Sequence, residues 1–181
     1  MRREIYAGKV VNLAIEDVRL PNGEVTQLEL MRHPGAAGCV PLFPDGTVAI
    51  LRQYRHAVGG WLWEIPAGKL DVPGEDPLAC AQRELAEEAG LAAARWHKLG
   101  SIFTTPGFCN EIIHLYLARD LSEVPRRHER DEVIEVHRMP LVDALARIPT
   151  EEIRDTKTAC ALQATALFLG GGPRPGWTSA I

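Results

Sequence analysis

Three glutamates, Glu84, Glu87 and Glu88, fall within five consecutive positions of "AQRELAEEAG". On a helix, Glu84 and Glu88 stack one turn apart and Glu87 adjoins the same face. Like charges at this spacing repel by about 0.2–0.5 kcal/mol per pair. They also lie just before Gly90, in a last turn where the helix dipole disfavours anions. Either the face is simply solvated, or a dication reverses the sign of both terms. A hard ion such as Mg²⁺ takes oxygen ligands, accepts one or two carboxylates and completes its shell with water and substrate phosphate. Such an ion would offset the charge of a diphosphate and acidify a bound water, which is the chemistry of phosphoanhydride hydrolysis. Arg83 adds a planar fork that can hold a carboxylate in two bonds and fix its rotamer. On a bare surface it would be one more ion pair.

The run Arg83 to Leu91, "RELAEEAGL", with Glu75 eight positions before Arg83 and Gly68 further upstream, resembles the Nudix box. That family hydrolyses nucleoside diphosphates linked to another moiety. The box usually has five residues between its first glycine and first glutamate. Here there are six, Lys69 to Gly74, so the extra residue falls in the loop before the helix and leaves the spacing of Glu84, Glu87 and Glu88 intact. The resemblance implies that these three glutamates hold the metal, Mg²⁺ or Mn²⁺, together with the backbone carbonyl of Ala67 in "IPAG".

The likeness runs over roughly residues 8 to 140, through "HPGAAGCVPL", "RQYRHAVGGWLWEIPAG", "TTPGFCNEIIHLYLA" and "RDEVIEVHRM". These segments resemble the ADP-ribose pyrophosphatase branch, whose members release AMP and ribose 5-phosphate. The resemblance implies substrate-binding roles for Arg55, for Glu111 and for Glu29, the last at a position of acidic contact to adenine. Water attack on phosphorus needs a proton acceptor within hydrogen-bond reach. The branch supplies it from the acidic loop "SEVPRRHERDEVIEV", where Glu132 matches best, with Glu129 and Asp131 as neighbours able to substitute and His128 as a base by its chemistry alone. The alternatives are another diphosphate substrate (GDP-mannose, NADH or FAD) and a domain that only binds its ligand. Domains of that last kind usually lose the box glutamates, which this chain keeps.

The elements that must carry these groups are legible from turn and cap signals. Asp76 suits an N-cap, Pro77 the first helical position and Gly90 the stop, so a helix is expected between them, with Leu78, Ala81, Leu85 and Ala89 facing the core. Residues 4–33 read as strands around an Asn22-Gly23 hairpin turn. "AAGCVPLF" and "TVAILRQYR" read as a second hairpin turning at Asp45-Gly46, and "GWLWEIPAG" as a short strand entering a loop. Trp61 and Trp63 alternate, so they share one face, packing under the loop or offering one ring for base stacking. Further strands are expected near 96–104, 111–118 and 132–138, then helices over "LVDALARI" and "TKTACALQATALFL". Many strands with few helices argue for an α+β architecture with a mixed sheet and against a regular βα alternation. The resemblance makes this a Nudix α/β/α sandwich. It also implies an N-terminal antiparallel strand region, 1–36, that mediates dimerisation, and a hydrolase domain over 37–170, while the Gly/Pro-rich composition of 171–181 argues for a mobile tail.

With 181 residues, 46% of them apolar, the chain suits one domain with a real core. A net charge of −4 argues against nucleic acid or an anionic membrane as partner, though local cations can still receive an anionic small molecule. Tyr6 can stack on a base across a homodimer. No apolar run of membrane-spanning length and no signal-peptide pattern is present, and the four scattered cysteines match neither zinc nor disulfide spacing. Cytoplasmic residence is the expectation.

Overall fold

The structure is a computed structural model that describes residues 1–127 and 132–171. His128, Glu129 and Asp131 of the acidic loop, and all of the tail but Gly171, lie outside the described residues.

A four-stranded sheet forms the centre, ordered β7 (Ala67–Lys69), β4 (Ala36–Pro41), β9 (Ile112–Glu123), β8 (Leu91–Phe103). Its β4–β9 pairing is parallel and the others antiparallel, so the sheet is mixed. Strand β4 is buried along its whole length, and its period of two serves two cores. Ala37 and Cys39 join Tyr116 and Ala118 under helix α1 (Pro77–Ala89), which adds Cys80, Ala81 and Leu85. Ala36 and Val40 join Leu115 and Leu117 on the other side, packed against Ala144 of α2 (Leu141–Ala146) and Ala161 and Leu162 of α3 (Thr156–Leu169). This is an α/β/α sandwich.

A second sheet has the order β10 (Ile134–Pro140), β5 (Thr47–Arg55), β6 (Gly60–Glu64), with a 3₁₀ turn His56–Val58 between β5 and β6. The expected hairpin at Asp45-Gly46 is thus corrected. A tight turn does exist there, with Gly46 at φ 82° and Phe43 N–H donating to the Thr47 carbonyl at 2.9 Å. Beyond a single bridge between Leu42 and Val48, however, β4 and β5 enter different sheets. Both strands are apolar enough to be buried on two faces, so each finds partners on both edges elsewhere.

The N-terminal sheet has the order β1 (Arg2–Ala7), β2 (Asn12–Arg19), β3 (Val25–Met31). The run 4–20, read as one strand region, breaks at Gly8–Val11, where Gly8 N–H donates to the Val11 carbonyl at 2.8 Å. The Asn22-Gly23 turn is as expected, with Gly23 at φ 91°. Strand β1 is exposed throughout and β3 over most of its length. Met31 N–H donates to the Phe108 carbonyl at 2.7 Å, which ties this sheet to the loop before β9. No helix among the described residues is long and apolar enough to cross a membrane.

Candidate active site

Helix α1 is capped as its sequence requires. Asp76 Oδ1 accepts from the backbone N–H groups of Leu78 (2.8 Å) and Ala79 (2.9 Å), and Gly90 ends the helix in the left-handed region at φ 67°. Its buried stripe is Cys80, Ala81, Glu84, Leu85 and Glu88. Two of the three glutamates therefore turn inward, and the solvated-face reading fails. Glu84 is 9% exposed and Glu88 only 3%. Buried carboxylates are costly unless paired, and two side by side suit a site that receives a cation.

Their protein partners are few. Glu88 Oε2 accepts from the backbone N–H of Ala67 at 2.9 Å, and Glu84 Oε1 from Arg83 Nη1 at 2.6 Å. Arg83 organises the rest: Nε and Nη2 hold both oxygens of Glu75 at 2.9 Å each, Nη1 reaches Glu87 Oε2 at 3.1 Å and Nη2 the Lys69 carbonyl at 3.3 Å. The extra loop residue before the helix thus leaves Glu75 locked to Arg83. These bonds hold the Glu75 carboxyl below the usual range. Burial pushes Glu84 up, against the pull of Arg83, and pushes Glu88 up to about 8, with the charges of Glu84 and Glu132 adding to it.

A cavity of about 840 Å³ opens over this helix face. It is lined by Glu84, Glu87, Glu88 and Glu132, with Ala67 and Gly68, and also by Arg55, Glu111 and Lys157. Arg55, at the end of β5, and Glu111, just before β9, both line this cavity. Glu111 Oε2 accepts from Thr104 Oγ1 at 2.7 Å, and Oε1 lies 3.4 Å from His33 Nδ1. Glu132 also meets the cavity wall. Glu29 does not: it is exposed on β3, opposite Ile15 in the N-terminal sheet. Trp61 and Trp63 share a face, as their alternation requires, but neither lines the cavity. The Arg52 guanidinium lies 5.2 Å and 6.0 Å from their ring centroids, a cation–π clamp on the second sheet. A smaller cavity of about 280 Å³ beside Phe43, Leu141 and Leu169 has no acidic cluster.

Two residues bonded around Arg55 carry no motif in the sequence: Lys157, which lines the cavity, and Glu64, which lies behind it. Glu64, only 2% exposed, accepts from Arg55 Nε at 2.8 Å and Nη2 at 2.9 Å, and Lys157 Nζ bonds the same carboxylate. Burial opposes ionisation of Glu64, yet the Arg55 and Lys157 bonds outweigh it, so its carboxyl titrates below the usual range. The signals were present: a lone acid inside the apolar run "WLWEIP", and a polar "DTKT" opening an otherwise apolar helix.

Residues 32–160 match the NUDIX domain family. The chain is 41% identical over 164 residues to the ADP-ribose pyrophosphatase of Bacillus subtilis (strain 168), covering 90% of this chain and 88% of that one. The chain belongs to the Nudix family. Another relative, 40% identical over 88% of this chain and 87% of its own length, is the methanol dehydrogenase activator of Bacillus methanolicus. A solved structure described as an ADP compounds hydrolase superposes with a TM-score of 0.82 at 20% identity, covering 94% of this chain and 92% of that one, and shows the same fold.

Nudix hydrolases generally need a divalent metal. The donor set fits one: Glu84, Glu87 and Glu88 offer only hard oxygens, beside the Ala67 backbone. The Nudix glycine Gly68 is also shaped for them, because a Cβ there would lie 1.9 Å from Glu84 Oε1. Among the described residues no three His, Cys, Asp or Glu side chains already converge as a cage. Arg83 Nη1 bridges Glu84 and Glu87 instead, and Glu88 bonds the Ala67 N–H.

The raised Glu88 carboxyl gives a prediction for the metal-free protein. The folded state binds a proton between an ordinary glutamate value and about 8 that the unfolded chain releases, so stability falls as pH rises through that window. The full loss is on the order of 3–5 kcal/mol, or roughly 10 °C in Tm between pH 5 and 8.5. His114, whose ring is pushed down by burial, acts in the opposite sense. Glu88→Gln removes the Glu88 contribution and leaves that of Glu84, which has the same sign, and that of His114, so the fall in Tm becomes shallower, which thermal melts in chelator across this range will read out.

Proposed function

We propose that this protein hydrolyses the pyrophosphate bond of ADP-ribose, giving AMP and ribose 5-phosphate, with Mg²⁺ as the working ion and Mn²⁺ able to replace it. The observation that carries the reading is the burial of Glu84 and Glu88 in the wall of a cavity that Arg55, Arg83 and Lys157 also line. The relative named ADP-ribose pyrophosphatase, matched over nearly the whole chain, supports the choice of substrate.

Glu84, Glu87, Glu88 and the Ala67 carbonyl would hold the metal, with Arg83 setting the rotamers of Glu84 and Glu87. When bound, the ion supplies charge neutralisation at the diphosphate and a more acidic water. Arg55 pairs with a diphosphate oxygen, keeping Nη1 for it while Nε and Nη2 stay on Glu64. Glu111 accepts a hydroxyl of the terminal ribose. Glu132, lying near enough to Glu84 and Glu88 to raise both, takes the proton of the attacking water.

We extend the proposal to a homodimer in the cytoplasm. The N-terminal sheet exposes Ile5 (46%), Tyr6 (59%) and Val25 (60%), and a three-stranded sheet with little core of its own needs a covering surface. A second copy supplies that surface and is the route by which Glu29 would meet a cavity. All four cysteines are unpaired, which suits a reducing compartment. Light scattering should give twice the chain mass, and replacing Tyr6 and Val25 together by charged residues should shift it toward one.

The deciding experiment is a panel of ADP-ribose, ADP-glucose, GDP-mannose, NADH and FAD, assayed with Mg²⁺ and with chelator. ADP-ribose is expected to give the highest kcat/KM, with AMP as product and no turnover in chelator. A preference for NADH, FAD or GDP-mannose would overturn the substrate choice, and ion-independent turnover would overturn the metal role.

A further inference from the structure

Arg55 is asked to hold a substrate diphosphate while two of its nitrogens are bonded to a buried carboxylate. A bidentate pair between one arginine and one glutamate, closed off from water, largely cancels the cation's field. Glu64 is not in a closed pair, because Lys157 bonds Oε2, the same oxygen that accepts from Arg55 Nη2.

Lys157 is fixed with care. Its Nζ also donates to Asp155 Oδ1 at 3.1 Å. Asp155 Oδ2 accepts from Thr158 N–H at 3.0 Å and Thr158 Oγ1 at 2.6 Å. Thr158 Oγ1 in turn accepts from the backbone N–H of Ile65 at 2.9 Å, the residue next to Glu64. The start of α3 is thereby strapped to the end of β6, and the lysine cannot drift from its carboxylate. Its side chain is only 12% exposed and lines the cavity beside Arg55.

We propose that Lys157 is a positioning residue for Arg55: by sharing the Glu64 carboxylate, it keeps the Arg55 guanidinium available to the substrate diphosphate. This rests on the role given above to Arg55. Arg55, Lys157, Glu64 and Asp155 sum to zero charge. Without the lysine the same group carries −1, faces an anionic substrate and leaves Glu64 to capture Arg55 alone. The defect therefore lies in the Glu64 charge and is reversible by removing it.

The experiment is a double-mutant cycle of Lys157→Met with Glu64→Gln, with Lys157→Arg alongside. It reads kcat and KM for ADP-ribose in Mg²⁺, the ADP-ribose Kd in chelator and the Tm of each variant. Lys157→Met is expected to raise KM and Kd roughly tenfold with kcat within about threefold, the size of one charge-assisted bond. Lys157→Arg should stay near wild type. Glu64→Gln in the Lys157→Met background should bring KM and Kd back to those of Glu64→Gln alone. Independent, multiplicative defects in the cycle would overturn the proposal, since a lysine that touches substrate or merely props the fold is not rescued by losing Glu64. Should the Glu64 variants fail to fold, a Lys157→Arg defect equal to that of Lys157→Met overturns it, and near-wild-type constants for Lys157→Arg uphold it. A wild type that binds ADP-ribose without hydrolysing it would refute the proposed function while the Kd cycle still decides on Lys157. One that does not bind ADP-ribose overturns both.

Discussion

Glu88→Gln is expected to lower kcat for ADP-ribose roughly a thousandfold or more while raising the Tm of the metal-free protein at pH 8. The two effects have one cause. A carboxylate that is 3% exposed, with the Ala67 N–H as its bonded partner, is tolerated for the sake of an ion rather than for the fold. Glutamine keeps an oxygen for the Ala67 N–H and loses the charge, so the folded state no longer resists ionisation near about 8. A structural glutamate would behave oppositely, with loss of stability and activity together. Melts in chelator and steady-state rates in Mg²⁺ on the same preparation decide between them.

Gly68→Ala should be nearly silent in stability and severe in turnover. The added methyl would meet Glu84 Oε1 at 1.9 Å, Cδ at 2.2 Å and Oε2 at 2.7 Å. These atoms end a flexible side chain, so the carboxylate can swing away at small cost to the fold. The swing removes it from its place beside Arg83, and a displacement near 1 Å at a reacting centre costs about a hundredfold in rate. The expected result is a Tm within a few degrees of wild type and kcat down roughly a hundredfold. Gly60→Ala, where a Cβ meets nothing within 4 Å, is the control and should leave both unchanged. Equal kcat for Gly68→Ala and wild type would remove Glu84 from the machinery.

The helix was legible to the residue, because Asp76, Pro77 and Gly90 act through local hydrogen bonds and dihedral preferences. The inward turn of Glu84 and Glu88 was not. Helical spacing places them one turn apart but does not say which face the sheet will cover. The same limit explains the Asp45-Gly46 turn: local chemistry sets the turn itself, yet strand pairing is decided by distant partners, β9 for β4 and β10 for β5. Glu64 and Lys157 are the extreme case. They are 93 positions apart, and their bond exists because α3 packs on the far side of the central sheet. Arg55 and Glu111 came instead from resemblance to a family, and the fold places both in the lining of one cavity.

The most direct test of the acidic cluster is a calorimetric titration of Mg²⁺ and Mn²⁺ into the metal-free protein, with an ADP-ribose analogue present whose bridging oxygen is a methylene group. Wild type is expected to take up the ion saturably, and Glu84→Gln and Glu88→Gln to lose most of that uptake with their folds intact. Ion uptake unchanged in both variants, or absent in the wild type, would contradict the account.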